Sequence, residues 1–253
     1  MEDYKAKYKL VWQEEFDYEG PPNTEKWSAQ VGGHGWGNNE DQFYTESGNA
    51  WVEGGKLIIE ARPELDKAEA HEGKEITSAR IRTVGKGDWQ YGVVEVRAKI
   101  PQGLGIWPAI WMMPTKAERR WPACGEIDIM EYVGWRPEEI WATVHTGAFN
   151  HIVGTQKGNT QFFDEEFFSG FNDYSVEWNA DKMIFRVNGN ELFVYEPKAF
   201  MDADKITDEE WPFDKEFHLI LNVAFGGNFG GARGKDVNIL PARMEVEYVR
   251  VYQ

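Results

Sequence analysis

Glu126, Asp128 and Glu131 sit in the run Gly125-Glu126-Ile127-Asp128-Ile129-Met130-Glu131, whose other members are glycine and large apolar residues. Burial disfavours unpaired charge, so three acids in such a stretch point to chemistry. On a strand, Glu126 and Asp128 share one face and Ile127 and Ile129 the other, which leaves Glu131 with the wrong parity. One extra residue near Ile129 or Met130, a β-bulge, restores the parity and turns all three carboxyls to one face. With about 6.6 Å per two residues, the glutamate Cα atoms fall roughly 13 Å apart and the leaning carboxyl groups about 5–6 Å apart. That separation suits two carboxyls acting across a glycosidic bond with retention of configuration, one as nucleophile and one as acid and then base. Acids alternating with aliphatics also describe a half-solvated strand, and the neighbouring sequence decides between the two.

Upstream lies Gly103-Leu104-Gly105-Ile106-Trp107-Pro108-Ala109-Ile110-Trp111-Met112. Trp107 and Trp111 are four apart and point the same way on a strand, where two indoles make a floor for the apolar C–H faces of sugar rings. Trp36, Asn38 and Asn39 fall in a glycine-rich loop, where amide side chains both donate to and accept from sugar hydroxyls.

The order G-x-G-I-W-P-A-I-W-M followed by W-P-A-C-G-E-I-D-I-M-E resembles glycoside hydrolase family 16, and within it the laminarinase branch of endo-β-1,3-glucanases. The resemblance also covers Leu10–Asp17, Gly35–Glu40, Ala142–His145 and Val246–Tyr252, essentially the whole chain. It implies Glu126 as nucleophile, Glu131 as acid/base and Asp128 assisting between them. It further implies that His145 meets the aspartate or the sugar, that the Trp36 loop borders the glucose subsites, and that Arg80 contacts substrate. Trp121 and the Phe225–Asn228 turn, with Asn228, are expected along the cleft. Asp41 stands where relatives carry Leu. A structural calcium is implied on the convex side, held by Glu15, the backbone of Gly55 and Glu247, the last in place of the usual Asp. Lichenase-type members have E-x-D-x-E; the extra residue here favours β-1,3-glucan, with mixed β-1,3-1,4-glucan as a further substrate. Agarases and carrageenases share the bulged motif, and the paired tryptophans favour laminarin over them. A binding-only relative that has lost the chemistry is the alternative, and the retained glutamates speak against it.

Composition agrees. Aromatic residues make up 15% of the 253, with 12 Trp, more than a core requires. A net charge of −16 repels nucleic acid and anionic membranes, so the expected partner is a neutral β-glucan polysaccharide or oligosaccharide. Cys124 is the single cysteine and excludes an internal disulfide; it reads as a small buried hydrophobe. No run of 18 apolar residues spans a membrane, and the first residues lack a signal-peptide pattern. Either a leader was removed or the protein stays inside; the branch resembled is secreted. The catalysis needs no cofactor, and a monomer is expected.

The dominant rhythm has period two, at Leu57–Ala61, Val94–Ile100, Leu219–Ala224 and Met244–Tyr252. Asn188-Gly189 between Met183–Val187 and Leu192–Tyr195 predicts a hairpin. Thr207–Trp211, stopped by Pro212, is the best helical candidate. Many strands and few helices predict an all-β fold of two packed antiparallel sheets in one domain over residues 1–253. The resemblance sharpens this to a concanavalin A-like β-jelly roll sandwich with a concave substrate cleft.

Overall fold

The alternating runs become strands at Lys56–Pro63, Gly92–Lys99, Phe217–Phe225 and Ala242–Tyr252. A computed structural model describes residues 4–253 and arranges these strands in two sheets. One sheet runs Asn190–Tyr195, Met183–Val187, Asn172–Trp178, Gly92–Lys99, Ala242–Tyr252, Lys56–Pro63, Ile76–Ser78, Phe43–Tyr44. Leu10–Glu14 also pairs with its Ala242–Tyr252 strand, and Ala50–Glu53 with Lys56–Pro63. The second runs Lys157–Phe162, Glu139–His145, Glu126–Glu131, Ile106–Pro114, Phe217–Phe225, Arg80–Arg82, Ser28–Ala29, with Asp88–Trp89 also on Phe217–Phe225. Between these strands only the short Phe43–Tyr44 and Ile76–Ser78 pairing is parallel.

Alternation sorts the side chains. From the second sheet Ile110, Met112, Ile127, Val144, Leu221 and Val223 turn inward and are fully buried. They meet Val96, Tyr174, Val176, Phe185, Ile59 and Val249 from the first, forming one continuous core. The opposite face of the second sheet is left for other work.

The hairpin forms as expected, with Asn188 at φ 50° and Gly189 at φ 75°, the left-handed pair that a two-residue turn requires. Thr207–Trp211 is not a helix. The Thr207 carbonyl accepts from the amides of Glu210 and Trp211, the Glu210 carboxylate accepts from Thr207 N, and Pro212 ends this single turn. The one α-helix among the described residues is Glu165–Ser169, capped by Asp164, whose side chain accepts from Phe167 N.

The carboxylate strand carries the predicted bulge. Trp111 pairs with Asp128 and Ile110 with Met130, so Ile129 is the extra residue, and it is only 2% exposed. Ile129→Ala should therefore destabilise the protein by about 2–4 kcal/mol in urea unfolding. A loss below about 1 kcal/mol would mean that the bulged side chain contributes no packing.

Candidate active site

The bulge decides which groups meet. Along the neighbouring strand, Glu126 pairs with His145, Asp128 with Thr143 and Glu131 with Trp141, so two residues there span three on the carboxylate strand. Directly paired residues share a face. Glu126, Asp128 and Glu131 thus lie on the outer face with Trp107, Ala109, Trp111 and Asn222, lining a cleft of about 380 Å³.

Each glutamate receives one indole N–H. Trp121 Nε1 donates to Glu126 Oε2 at 2.7 Å, and Trp107 Nε1 donates to Glu131 Oε1 at 2.9 Å. Trp121 reaches back from the preceding turn because Gly125, at φ 89°, reverses the chain just before the strand; a side chain there would also crowd Pro212 and Phe213.

Burial raises the pKa of all three acids. For Glu126 the rise is opposed by a hydrogen bond from Asp128, the Trp121 N–H and the positive field of Arg80. Asp128 is raised well above the usual carboxylate range by burial and by the charges of Glu126 and Glu131. Glu131 is pushed up to about 7 by burial, which outweighs the Trp107 hydrogen bond, with the Glu126 charge adding to the rise. Below about pH 7 the cluster therefore favours protons at Asp128 and Glu131, and the negative charge falls to Glu126, which has the most charge-stabilising partners.

His145 lies behind Asp128, its Nε2 3.5 Å from Asp128 Oδ2. Burial, with the field of His151, lowers its pKa to about 4, so the contact is between a neutral imidazole and the acid and not an ion pair.

On the other flank, the Arg80 guanidinium is stacked between Trp36 and Trp111, 4.6 Å from each ring centroid, and its Nε donates to Gln30 Oε1 at 2.6 Å. Arg80 thus fixes two cleft tryptophans as well as facing the cleft. Trp36 and Asn38 line the cleft. Asn39 and Asn228 do not: Asn39 Nδ2 donates to Asn228 Oδ1 at 3.0 Å, and Asn228 N donates to Asn38 O at 2.7 Å. These two residues, expected to meet sugar, fasten one loop to another. Asp41 has the same use, pairing with Lys235 at 2.5 Å across those loops.

Several functional positions escaped the sequence reading. Asn222 accepts from Trp111 Nε1 at 2.7 Å and donates to Tyr44 OH at 3.1 Å, and Tyr44 OH donates to buried Glu40 at 3.0 Å. Asn222 is conspicuous as the one amide in Phe217–Phe225, a strand whose every residue is buried. His151 lines the cleft, its ring 4.9 Å from Trp121 and 5.1 Å from His145. It comes from a loop with no period to reveal it. Phe229 meets Trp107, Trp135 and Trp141 edge-on, at 5.4, 6.0 and 5.5 Å.

The donor set expected for calcium does not fit. Both Glu15 oxygens accept from Arg250 at 2.8 Å, and Glu247 accepts from Arg97 Nε at 2.7 Å. Each carboxylate is already neutralised by a guanidinium, and Gly55 stands in the turn between Ala50–Glu53 and Lys56–Pro63 with only its backbone to offer.

No helix among the described residues is long and apolar enough to cross a membrane. The sequence model described as Glycosyl hydrolases family 16 matches residues 36–248. A β-glucanase of Rhodothermus marinus is 46% identical over 256 residues, covering 99% of this chain and 87% of its own length. The X-ray structure of the laminarinase from Rhodothermus marinus superposes with a TM-score of 0.91 at 45% identity over 97% of each chain. A structure of SCLam, described as a non-specific endo-β-1,3(4)-glucanase and co-crystallised with a glucan oligosaccharide, gives 0.90 at 44% identity over 97% of this chain and 95% of its own. The sandwich is accordingly the expected jelly roll, and with the match extending over nearly its full length the chain belongs to glycosyl hydrolase family 16.

Proposed function

We infer that the chain is a retaining endo-β-1,3-glucanase that cuts laminarin-type β-glucans and also accepts mixed β-1,3-1,4-glucan. The observation that carries this reading is the bulged strand, which turns three coupled carboxyls into a tryptophan-lined cleft. Opposed environments assign the roles. Glu126, ionised and held by Trp121 and Asp128, attacks the anomeric carbon. Glu131, protonated, gives its proton to the departing glycosidic oxygen. The glycosyl-enzyme is then hydrolysed by water that Glu131, now a base, deprotonates, and configuration is retained. Asp128 keeps its proton toward Glu126 and steadies that charge. The double displacement uses carboxyl groups alone. The cleft is complete within one chain, which suits a monomer, and a polymeric substrate that does not cross membranes suits action outside the cell.

Reducing-sugar release from laminarin, lichenan, agarose and κ-carrageenan in parallel tests the substrate. Mixed short oligosaccharides from laminarin are expected, with slower lichenan cleavage; activity confined to the galactans would move the substrate and keep the mechanism. Glu126→Gln should abolish turnover while oligosaccharide binding stays measurable, and Glu131→Gln should lower kcat by roughly 10²–10⁴-fold. Turnover equal to the parent in either variant would sink the role assignments.

The pH profile follows from the same cluster. Glu131 must be protonated to act first, so kcat/KM should fall as pH rises through about 7. Glu126 must be ionised, so the acid limb should lie above the ordinary glutamate range. Trp107→Phe removes a donor that favours the Glu131 carboxylate, so its alkaline limb should move to higher pH. An alkaline limb unmoved in Trp107→Phe would show that Glu131 does not set it.

A further inference from the structure

Glu126, Asp128 and His145 each bring one donor atom to a common region, with these atoms all within 4.8 Å of one another. Two observations separate the group from an ordinary acidic cluster. Asp128 is 3% exposed, and its Oδ2 has no hydrogen-bond partner. His145, 7% exposed, holds Nε2 3.5 Å from that same oxygen. Backbone pairing of Glu126 with His145 across adjacent strands fixes the arrangement.

We propose that Glu126, Asp128 and His145 form a reversible inhibitory site for Zn²⁺ or Cu²⁺, superposed on the reaction centre. With metal–ligand bonds of about 2.0–2.2 Å, the ligand atoms of a tetrahedral site lie roughly 3.3–3.5 Å apart. Asp128 and His145 already have that separation, and rotation of the Glu126 carboxyl supplies the third. The fourth position opens on the cleft and is left for water. One imidazole with two carboxylates, the second formed when the ion displaces the Asp128 proton into solvent, suits zinc or copper, whereas calcium and magnesium prefer shells of six or more oxygens. The ion takes the Glu126 electron pair that would attack the sugar, so metal and substrate exclude each other. The inhibition arm rests on the hydrolytic reading above; the binding arm does not.

The test is calorimetric titration of Zn²⁺ at pH 7 into the wild-type protein, Asp128→Asn and His145→Gln, alongside laminarin hydrolysis at several Zn²⁺ concentrations. One ion should bind per wild-type chain, with affinity lower by about tenfold or more in both variants. In the wild type, Zn²⁺ should raise KM and leave kcat unchanged, EDTA should restore activity, and Ca²⁺ or Mg²⁺ at the same concentration should have no effect. Equal Zn²⁺ affinity in all three proteins would overturn the site. Inhibition that lowers kcat at constant KM would overturn it from wild-type data alone, whatever the variants' folding. Absence of laminarin hydrolysis by the metal-free wild type would instead count against the hydrolytic reading, since calorimetry needs no turnover.

Discussion

Three carboxyl groups crowded onto one face of a six-residue strand, the middle one buried, resist being ionised together, because each charge raises the pKa of its neighbours. Local partners decide where the protons go. Glu126 has a hydrogen bond from Asp128, an indole N–H and the field of Arg80; Glu131 has the Trp107 N–H alone. The cationic side chain is felt at the residue that must be charged. An arginine in place of Trp107 would ionise Glu131 and remove the proton that the first step needs. A neutral indole orients the carboxyl without that penalty, and its ring face stays available to the cleft.

The wider structure holds those partners still. Trp111 is tied to Asn222, Asn222 to Tyr44 and Tyr44 to Glu40, so a relay of buried polar groups backs the aromatic wall. Arg80 fills the gap between Trp111 and Trp36. Trp36 is itself at φ 51°, an unfavourable conformation for a large side chain, and the Arg80 stack and its own Nε1 bond to Gly32 O at 3.0 Å hold it there. Cross-loop contacts from Asn38, Asn39 and Asp41 to Asn228 and Lys235 tie the neighbouring loops together.

What was legible in the sequence was whatever obeyed a period. The parity error at Glu131 predicted the bulge, and Asn188-Gly189 predicted its hairpin, because both are rules of local backbone geometry. The two tryptophans of the Ile106–Pro114 strand were legible for the same reason. Asn39 and Asn228 suit sugar by side-chain type, since amides match hydroxyls; that they bind each other depends on how two distant loops meet. The arginine partners of the expected calcium donors were hidden likewise: Arg97 and Arg250 are plain in the sequence, but their reach to Glu247 and Glu15 depends on strand register and chain path. His151 could not be seen at all, since nothing periodic places a loop histidine over Trp121.

The reaction centre also has a cost in folding, and its sign can be worked out. Glu131 titrates near 7 in the folded chain and at an ordinary glutamate value when unfolded. Below the unfolded value both states hold the proton and there is no penalty. As pH rises toward 7 only the unfolded chain releases it, so stability falls, and above about 7 the loss levels off at roughly 3–4 kcal/mol at most. The bulge offsets this. By inserting one residue it brings Glu131 to the cleft and also turns both Ile129 and Met130 into the core, where a regular strand would bury only one. One additional buried side chain of that size stabilises by about 1.5–3 kcal/mol, the same order as the penalty. A single inserted residue therefore creates the catalytic geometry and supplies much of the apolar burial that makes it tolerable.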